Sequence, residues 1–254
     1  MTFPLLHPDA FAGKVAFVSG AASGIGASTA RMLADLGVRL ILADRDGERL
    51  AAFAATLSRH DALALEVDVA SNASVETAIA RGVGHFGRLD FAVNSAGIDL
   101  PRCETAQYPA EQWDRIIAVN LTGVFHAVRY QIPKMLACGG GSIVNIASIM
   151  GLRAFPGQPA YTAAKHGVIG LTKAAALDHA AHGIRINAVA PGFVETPLLG
   201  HLSNEKKKAA ASLHPMGRVG RADEITSVIL FLLSDAASFV TGACYEADGG
   251  YLTK

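Results

Sequence analysis

The sequence predicts an α/β fold, a doubly wound parallel sheet of about seven strands with helices on both faces, within a single domain spanning 1–254. Three observations predict it. Short apolar runs rich in valine and isoleucine alternate with longer segments of helical period, as strands covered on both faces by crossover helices require. No Pro/Ser-rich linker, repeat or low-complexity tract interrupts the alternation, and 254 residues suffice for one large core. The strand VAFVS at 15–19 runs into glycines, and a helix over 24–36 follows, stopped by Gly37. VRLILAD at 38–44 and a helix over 46–58 come next, then a strand at 63–69 and a helix over 71–86 ended by Gly87. A strand at 89–95 precedes a long helical stretch, 111–138, and a strand at 142–148 precedes a helix over 158–181 ended by Gly183. Strands at 185–190 and 243–247, with a helix over 222–234 between them, complete the series, some of the helices being split.

Composition narrows the partners. Lysine plus arginine and aspartate plus glutamate number 22 each and are scattered, which leaves no footprint for nucleic acid or an anionic membrane and favours a small-molecule partner. Cys103, Cys138 and Cys244 are odd in number and far apart, the pattern of reduced core thiols in a cytoplasmic protein. The start, MTFPLLHPDAF, has no basic stretch of a signal peptide, and nowhere do 18 apolar residues run uninterrupted, so no membrane span is expected.

Chemistry concentrates after the first strand. The glycines of GAASGIG, at 20, 24 and 26, let the backbone approach a pyrophosphate, while the positive end of the following helix favours the anion. The spacing is G-x-x-x-G-x-G, so the commoner G-x-G-x-x-G fingerprint is met in mechanism and not in letter. Asp44 ends the second strand about 20 residues on, placed to accept hydrogen bonds from an adenosine ribose, and the pair of signals makes the domain Rossmann-like. A carboxylate there repels a 2′-phosphate, so NAD is the expected cofactor, although the adjacent Arg45 leaves the phosphorylated form open. Asp44 is also a candidate N-cap for the next helix.

In YTAAKHG, residues 161–167, Tyr161 and Lys165 lie one helical turn apart on one face. A phenol titrates near 10, and a neighbouring ammonium is expected to lower it toward neutrality, which makes Tyr161 a usable proton carrier. SIVNIAS places Ser148 at a strand's carboxyl end, and FAVNSAG at 91–97 and NAVAPGFVET at 187–196 end on the same side. With SGAASGIG, Asp44, Asn120, Ser148, YTAAK and PGFVET in this order, the chain from about residue 13 to the DGG at 248–250 resembles the short-chain dehydrogenase/reductase superfamily.

That resemblance implies an NAD-dependent oxidoreductase interconverting a secondary alcohol and its ketone. It assigns Tyr161 as general acid/base, Lys165 to the nicotinamide ribose and the Tyr161 pKa, Ser148 to the substrate oxygen, and Asn120 to a water joining Lys165 to solvent. On the cofactor side it implies Gly20, Ser23, Ile25 and Gly26 at the pyrophosphate, Asp68 and Val69 at adenine, and Asn94, Ala96 and Gly97 on the adenosine side. Pro191, Gly192, Val194 and Thr196 would hold the nicotinamide, and a homotetramer through the 111–138 and 158–181 helices and the C-terminal strand is implied. Two departures, Ser19 for threonine and Ser95 for asparagine, put local hydrogen bonds in doubt.

Other features carry less. His179 and His182 sit near a helix end with no ligand set around them, so no metal is expected, and EKKK at 205–208 reads as a solvated helix face. Residues 192–216 are expected to cover the substrate; Leu198, Leu199, Leu202, Leu213 and Met216, with Met150, Leu152 and Phe155, would give it an apolar wall. Arg153 is the one cation there able to meet a carboxylate, if it does not simply face solvent. Two alternatives stay open: an NADPH-dependent reductase of ketones or 3-oxoacyl thioesters, and a non-catalytic NAD sensor of the same fold.

Overall fold

The computed structural model describes residues 10–57, 61–200 and 203–253. Seven strands pair in parallel in the order β3-β2-β1-β4-β5-β6-β7. They are β1 (Val15–Ser19), β2 (Arg39–Asp44), β3 (Ala62–Glu66), β4 (Phe91–Asn94), β5 (Gly141–Ile146), β6 (Ile184–Pro191) and β7 (Cys244–Ala247). The order reverses at β1, which pairs with β2 on one side and β4 on the other, and this reversal opens a crevice beyond the carboxyl ends of β1 and β4.

The alternation of side chains along a strand decides which helix each residue meets. Phe17 and Ile41 face one side, with Val75 and Ile79 of α3 (Asn72–Phe86), Val124 and Val128 of α5 (Gly123–Leu136) and Val168 of α6 (Pro159–His179). Ala16, Val18, Leu40 and Leu42 face the other, with Leu33 of α1 (Gly24–Asp35), Leu50 of α2 (Gly47–Ala55) and Ile229 of α9 (Ala222–Leu233). β1 is buried over its whole length because both faces are covered.

The expected elements are present, with informative differences at their ends. The 142–148 strand stops at Ile146, which leaves Ser148 in the turn beyond it, accepting a hydrogen bond from the Met150 N–H at 3.1 Å. The 63–69 strand ends at Glu66 because its continuation leaves β2; a single bond, Val67 N–H to the Asp44 carbonyl at 2.8 Å, follows the last pair. The 46–58 helix spans 47–55, with residue 58 outside the described residues, and its N-cap is Asp46, not Asp44. The 111–138 stretch is α4 (Ala110–Ile117) and α5, joined by a wide turn of π type over Ala118–Thr122 that contains Asn120.

Residues 197–212 carry two helices that the sequence did not announce, α7 (Pro197–Gly200) and α8 (Asn204–Ser212). Ser203 caps α8 through the Lys206 N–H, and 203–209 are exposed, so the lysine run does lie on a solvated face. The cysteines are unpaired but half-buried, so they are not the core residues expected of them; Cys244 packs against the core from its edge.

Gly26 sets how closely α1 can rest on the end of β1. A Cβ there would stand 2.1 Å from the Gly20 carbonyl oxygen, a backbone atom that cannot swing aside. Gly26→Ala is therefore expected to cost about 2 kcal/mol and lower Tm by roughly 5 °C. Differential scanning calorimetry checks this, and an unchanged Tm would mean that the α1 end shifts freely.

Candidate active site

A cleft of about 500 Å³ lies over the carboxyl ends of β1, β4, β5 and β6, lined at one end by Gly20, Ser23, Ile25, Asp44 and Arg45 and at the other by Ser148, Tyr161 and Phe193. The glycine end is built to leave donors free. Ser23 stands at the N-cap of α1 yet makes no side-chain capping bond, and the first turn of α1 holds no acid. Asp46, Ser71 and Ser203 do cap α2, α3 and α8, whereas the positive end of α1 is left bare at the glycine end of the cleft, where it fits a pyrophosphate. Gly20 (φ +67°) has no room for a side chain, because a Cβ would meet the Ala96 backbone at 2.9 Å.

Asp44 is held in place by its neighbours. Its two carboxylate oxygens accept from the Ala22 N–H at 3.0 Å and the Asp46 N–H at 3.1 Å. Because Asp46 takes over the capping of α2, the Asp44 carboxylate is left half-exposed at the cleft, where its spare lone pairs suit ribose hydroxyls. Ser19 keeps the bonds that its substitution put in doubt: its hydroxyl accepts from the Ser95 and Ala96 N–H groups at 3.2 and 3.3 Å and locks the β4 turn to β1.

At the other end α6 presents Tyr161 and Lys165 on one face, as their spacing requires. The Lys165 ammonium donates to the Ile146 carbonyl at 2.8 Å and lies 5.6 Å from the centre of the Tyr161 ring. Ser148 is a side-chain hydrogen-bond partner of the Tyr161 phenol. Asn120, fully buried, donates to the Ile98 carbonyl and accepts the Ile98 N–H, both at 2.8 Å. It thus clamps the loop after β4, and its side chain is committed to Ile98, not aimed at the cleft.

Burial moves the two titrating groups in opposite directions. It raises the Tyr161 phenol well above its ordinary range, the Asp99 charge raises it further, and the Ser148 hydrogen bond works the other way. Burial pushes Lys165 down to about 8. The lowering expected from Lys165 is not among the influences on the phenol in the protein alone, where the ammonium donates to the Ile146 carbonyl and stands 5.6 Å from the ring centre.

The structure brings Gly20, Ser23, Ile25, Asp44, Arg45, Asp68, Val69, Ala96, Gly97, Ser148, Tyr161, Lys165, Pro191, Gly192, Val194 and Thr196 together along the cleft. Gly26, Asn94 and Asn120 stand behind its wall. Asn94 exchanges hydrogen bonds with Gln131 and donates to Asn145 inside the core, so its side chain does not reach an adenosine. Of the expected apolar wall, Met150, Leu198 and Leu199 line the cleft; Leu152, Phe155, Leu213 and Met216 do not, and Leu202 lies outside the described residues. Arg153 is exposed and does not line the cleft. Sequence reasoning missed Asp99, Gln158 and Phe193, all of them lining. Gln158 is three positions before Tyr161, so the same helical-face argument that paired Tyr161 with Lys165 could have found it.

Known proteins with this architecture agree with the geometry. A family model described as Enoyl-(Acyl carrier protein) reductase matches residues 20–252. The chain is 44% identical over 251 residues to a cyclohexanol dehydrogenase of Acinetobacter sp. (strain SE19), covering 96% of this chain and 97% of that one. It is 43% identical over 244 residues to a cis-4-hydroxycyclohexanecarboxylate dehydrogenase of Sinomonas cyclohexanicum, covering 96% and 98%. The solved carveol dehydrogenase from Mycobacterium avium in complex with NAD superposes with a TM-score of 0.91 at 34% identity, over 96% of this chain and 99% of that one. With these matches running nearly end to end, the chain belongs to the short-chain dehydrogenase/reductase family.

Proposed function

We propose that this oxidoreductase of secondary alcohols and ketones acts on ring-borne alcohols, with NAD as cofactor and Tyr161 as its proton carrier. The observation that carries the reading is the convergence of Ser148, Tyr161 and Lys165 at one end of a cleft whose other end holds the bare α1 terminus and Asp44. Its relatives named for cyclohexanol and for carveol support the ring alcohol, and the NAD in the carveol enzyme supports the unphosphorylated cofactor.

NAD, when bound, supplies the hydride acceptor. Tyr161 as phenolate takes the hydroxyl proton of the alcohol during oxidation, and as phenol returns it to the ketone oxygen during reduction. Ser148 donates to the same substrate oxygen and orients it. Lys165 spends one of its three donors on Ile146 and offers the others to ribose hydroxyls, while Asn120 acts by holding the Ile98 loop. Pro191, Gly192, Val194 and Thr196 border the nicotinamide, and one domain carries both cofactor and catalysis, with 192–216 as its cover.

We further read the protein as a cytoplasmic homotetramer. Among the described residues no helix is long and apolar enough to cross a membrane. Trp113 on α4, Phe125 on α5 and Leu177 on α6 are large apolar side chains left at least 40% exposed, as an interface over those helices would require. Light scattering is expected to give four chains per particle, and a monomer contradicts it.

NADH absorbance is expected to appear with cyclohexanol, and Tyr161→Phe should lower kcat by about a thousandfold while leaving NAD affinity nearly intact. Equal loss of affinity in that variant would reassign Tyr161 to binding. Asp44→Ala should weaken NAD about tenfold and narrow its advantage over NADP, read by fluorescence titration.

The pH dependence has a definite sign. Oxidation needs the phenolate, so its rate should climb with pH well beyond neutrality while ketone reduction falls. Because the Ser148 hydrogen bond works to lower the phenol, Ser148→Ala should move the rising limb to higher pH as well as reduce its height. A rate–pH profile in a constant-ionic-strength buffer checks both.

A further inference from the structure

One charge in the cleft has no part in the proton transfer described so far. Asp99 lies two residues beyond the Gly97 turn, half-buried, and lines the substrate end with Ile98, Met150, Phe193, Leu198 and Leu199. Its carboxylate accepts from the Gln158 side-chain nitrogen, Nε2, at 3.1 Å on Oδ1 and 3.0 Å on Oδ2, and Oδ1 also accepts the Leu100 N–H at 2.9 Å. Only the amide nitrogen can face a carboxylate, so the Gln158 orientation is fixed and its carboxamide oxygen is directed elsewhere. Gln158 is 4% exposed, it lines the cleft one helical turn before Tyr161, and that oxygen has no hydrogen-bond partner.

A buried acceptor without a donor is costly, and a carboxylate with three contacts still has an open lone pair. Both deficits lie beside the residue that meets the reacting hydroxyl. Ile98, Met150, Phe193, Leu198 and Leu199 give the wall around them an apolar character that suits a ring, with Arg115 also lining the cleft, and what the two acceptors lack is a donor.

We propose that Asp99 and Gln158 form a second polar subsite that selects a cyclic diol, accepting a hydrogen bond from the hydroxyl that does not react. A carboxylate on the same part of the ring meets the Asp99 charge and is rejected. This specificity rests on the alcohol-oxidising reading given above and extends it. The relative named for a hydroxycyclohexanecarboxylate handles the kind of substrate that this arrangement turns away.

The test compares kcat/KM for the cyclohexanediols, cyclohexanol and 4-hydroxycyclohexanecarboxylate in the wild type, Asp99→Asn and Gln158→Leu. The wild type should favour a diol over cyclohexanol and both over the hydroxy acid. Asp99→Asn should cut the diol-to-cyclohexanol ratio by about tenfold or more and raise the hydroxy acid relative to cyclohexanol. Gln158→Leu should cut the diol ratio in the same sense.

A second readout separates recognition from mere support of the fold. Asp99, Lys165 and Ser148 act on or lie against Tyr161, Tyr108 shares its apolar cluster and feels the same Asp99 charge, and Asp99 raises the Tyr161 phenol. The oxidation profile of Asp99→Asn should therefore move to lower pH, which a purely structural loss would not produce. Unchanged substrate ratios in both variants overturn the subsite even if every alcohol is oxidised. If no alcohol is oxidised, the alcohol reading falls by itself. Calorimetric binding of a diol in the presence of NADH, lost in Asp99→Asn, would then sustain the subsite, and no binding would end it.

Discussion

A sheet buried on both faces can leave polar groups unpaired only where its strands end, and the whole molecule follows from that constraint. β1 is apolar and covered along its length, so the hydroxyl of Ser19, the carboxylate of Asp44 and the turn at Ser148 all fall at carboxyl ends. Because every strand is parallel, those ends share one edge, and the reversal of order between β2, β1 and β4 keeps the helices from closing over it. The cleft is thus a consequence of sheet topology before any catalytic residue is considered.

Polar groups inside the sheet are self-satisfied: Asn187 of β6 and Ser142 of β5 pair with backbone groups beside them, and a longer network joins β4 to β5. Asn94 and Asn145 sit opposite each other on β4 and β5, and with Gln131 and Thr172 they form a chain of hydrogen bonds that ends on the Val168 carbonyl of α6. A fully paired buried network fixes geometry where an apolar contact would tolerate sliding. Here it ties α6, which carries Tyr161 and Lys165, to the two central strands. The Lys165 bond to the Ile146 carbonyl is a second tie between the same elements. Burial then favours the uncharged forms of both Tyr161 and Lys165, so a charged partner at either would find an environment of low dielectric in which its field counts for more.

Most of this was legible in the sequence because it depends on local chemistry. Glycines at a strand end, an acid closing the next strand and a tyrosine and lysine four apart each have a reading that needs no partner from elsewhere in the chain. What escaped depends on contacts made across the fold. Asn94 reads as a strand residue beside the cofactor until Gln131, 37 positions away, is seen to pair with it. Nothing beside Asn120 names its partner, Ile98, 22 positions away, and the π turn that presents it has no composition of its own. Asp99 was invisible for the same reason: nothing near it in sequence says that Gln158 will donate to both its oxygens.

The 192–216 segment shows the same logic at longer range. His214, at the end of 192–216, is buried, and both ring nitrogens are committed: Nδ1 to the Ala210 carbonyl at 2.9 Å, and Nε2 accepting the Phe193 N–H at 3.2 Å. That acceptor role requires a neutral ring with its proton on Nδ1. The ring also packs against Phe193 and Tyr251 at 5.7 and 5.5 Å, and a Cβ on Gly192 would collide with Nε2 at 2.6 Å. The two ends of the segment are therefore joined through one side chain, so α7 and α8 rise from a closed base, not from a free strand end. Among the described residues Ala210 is the one buried residue of the two helices, which leaves them less tightly held than the base from which they rise. Rigid anchorage with a loosely packed crown is the combination that lets a segment border a cleft without being part of the core.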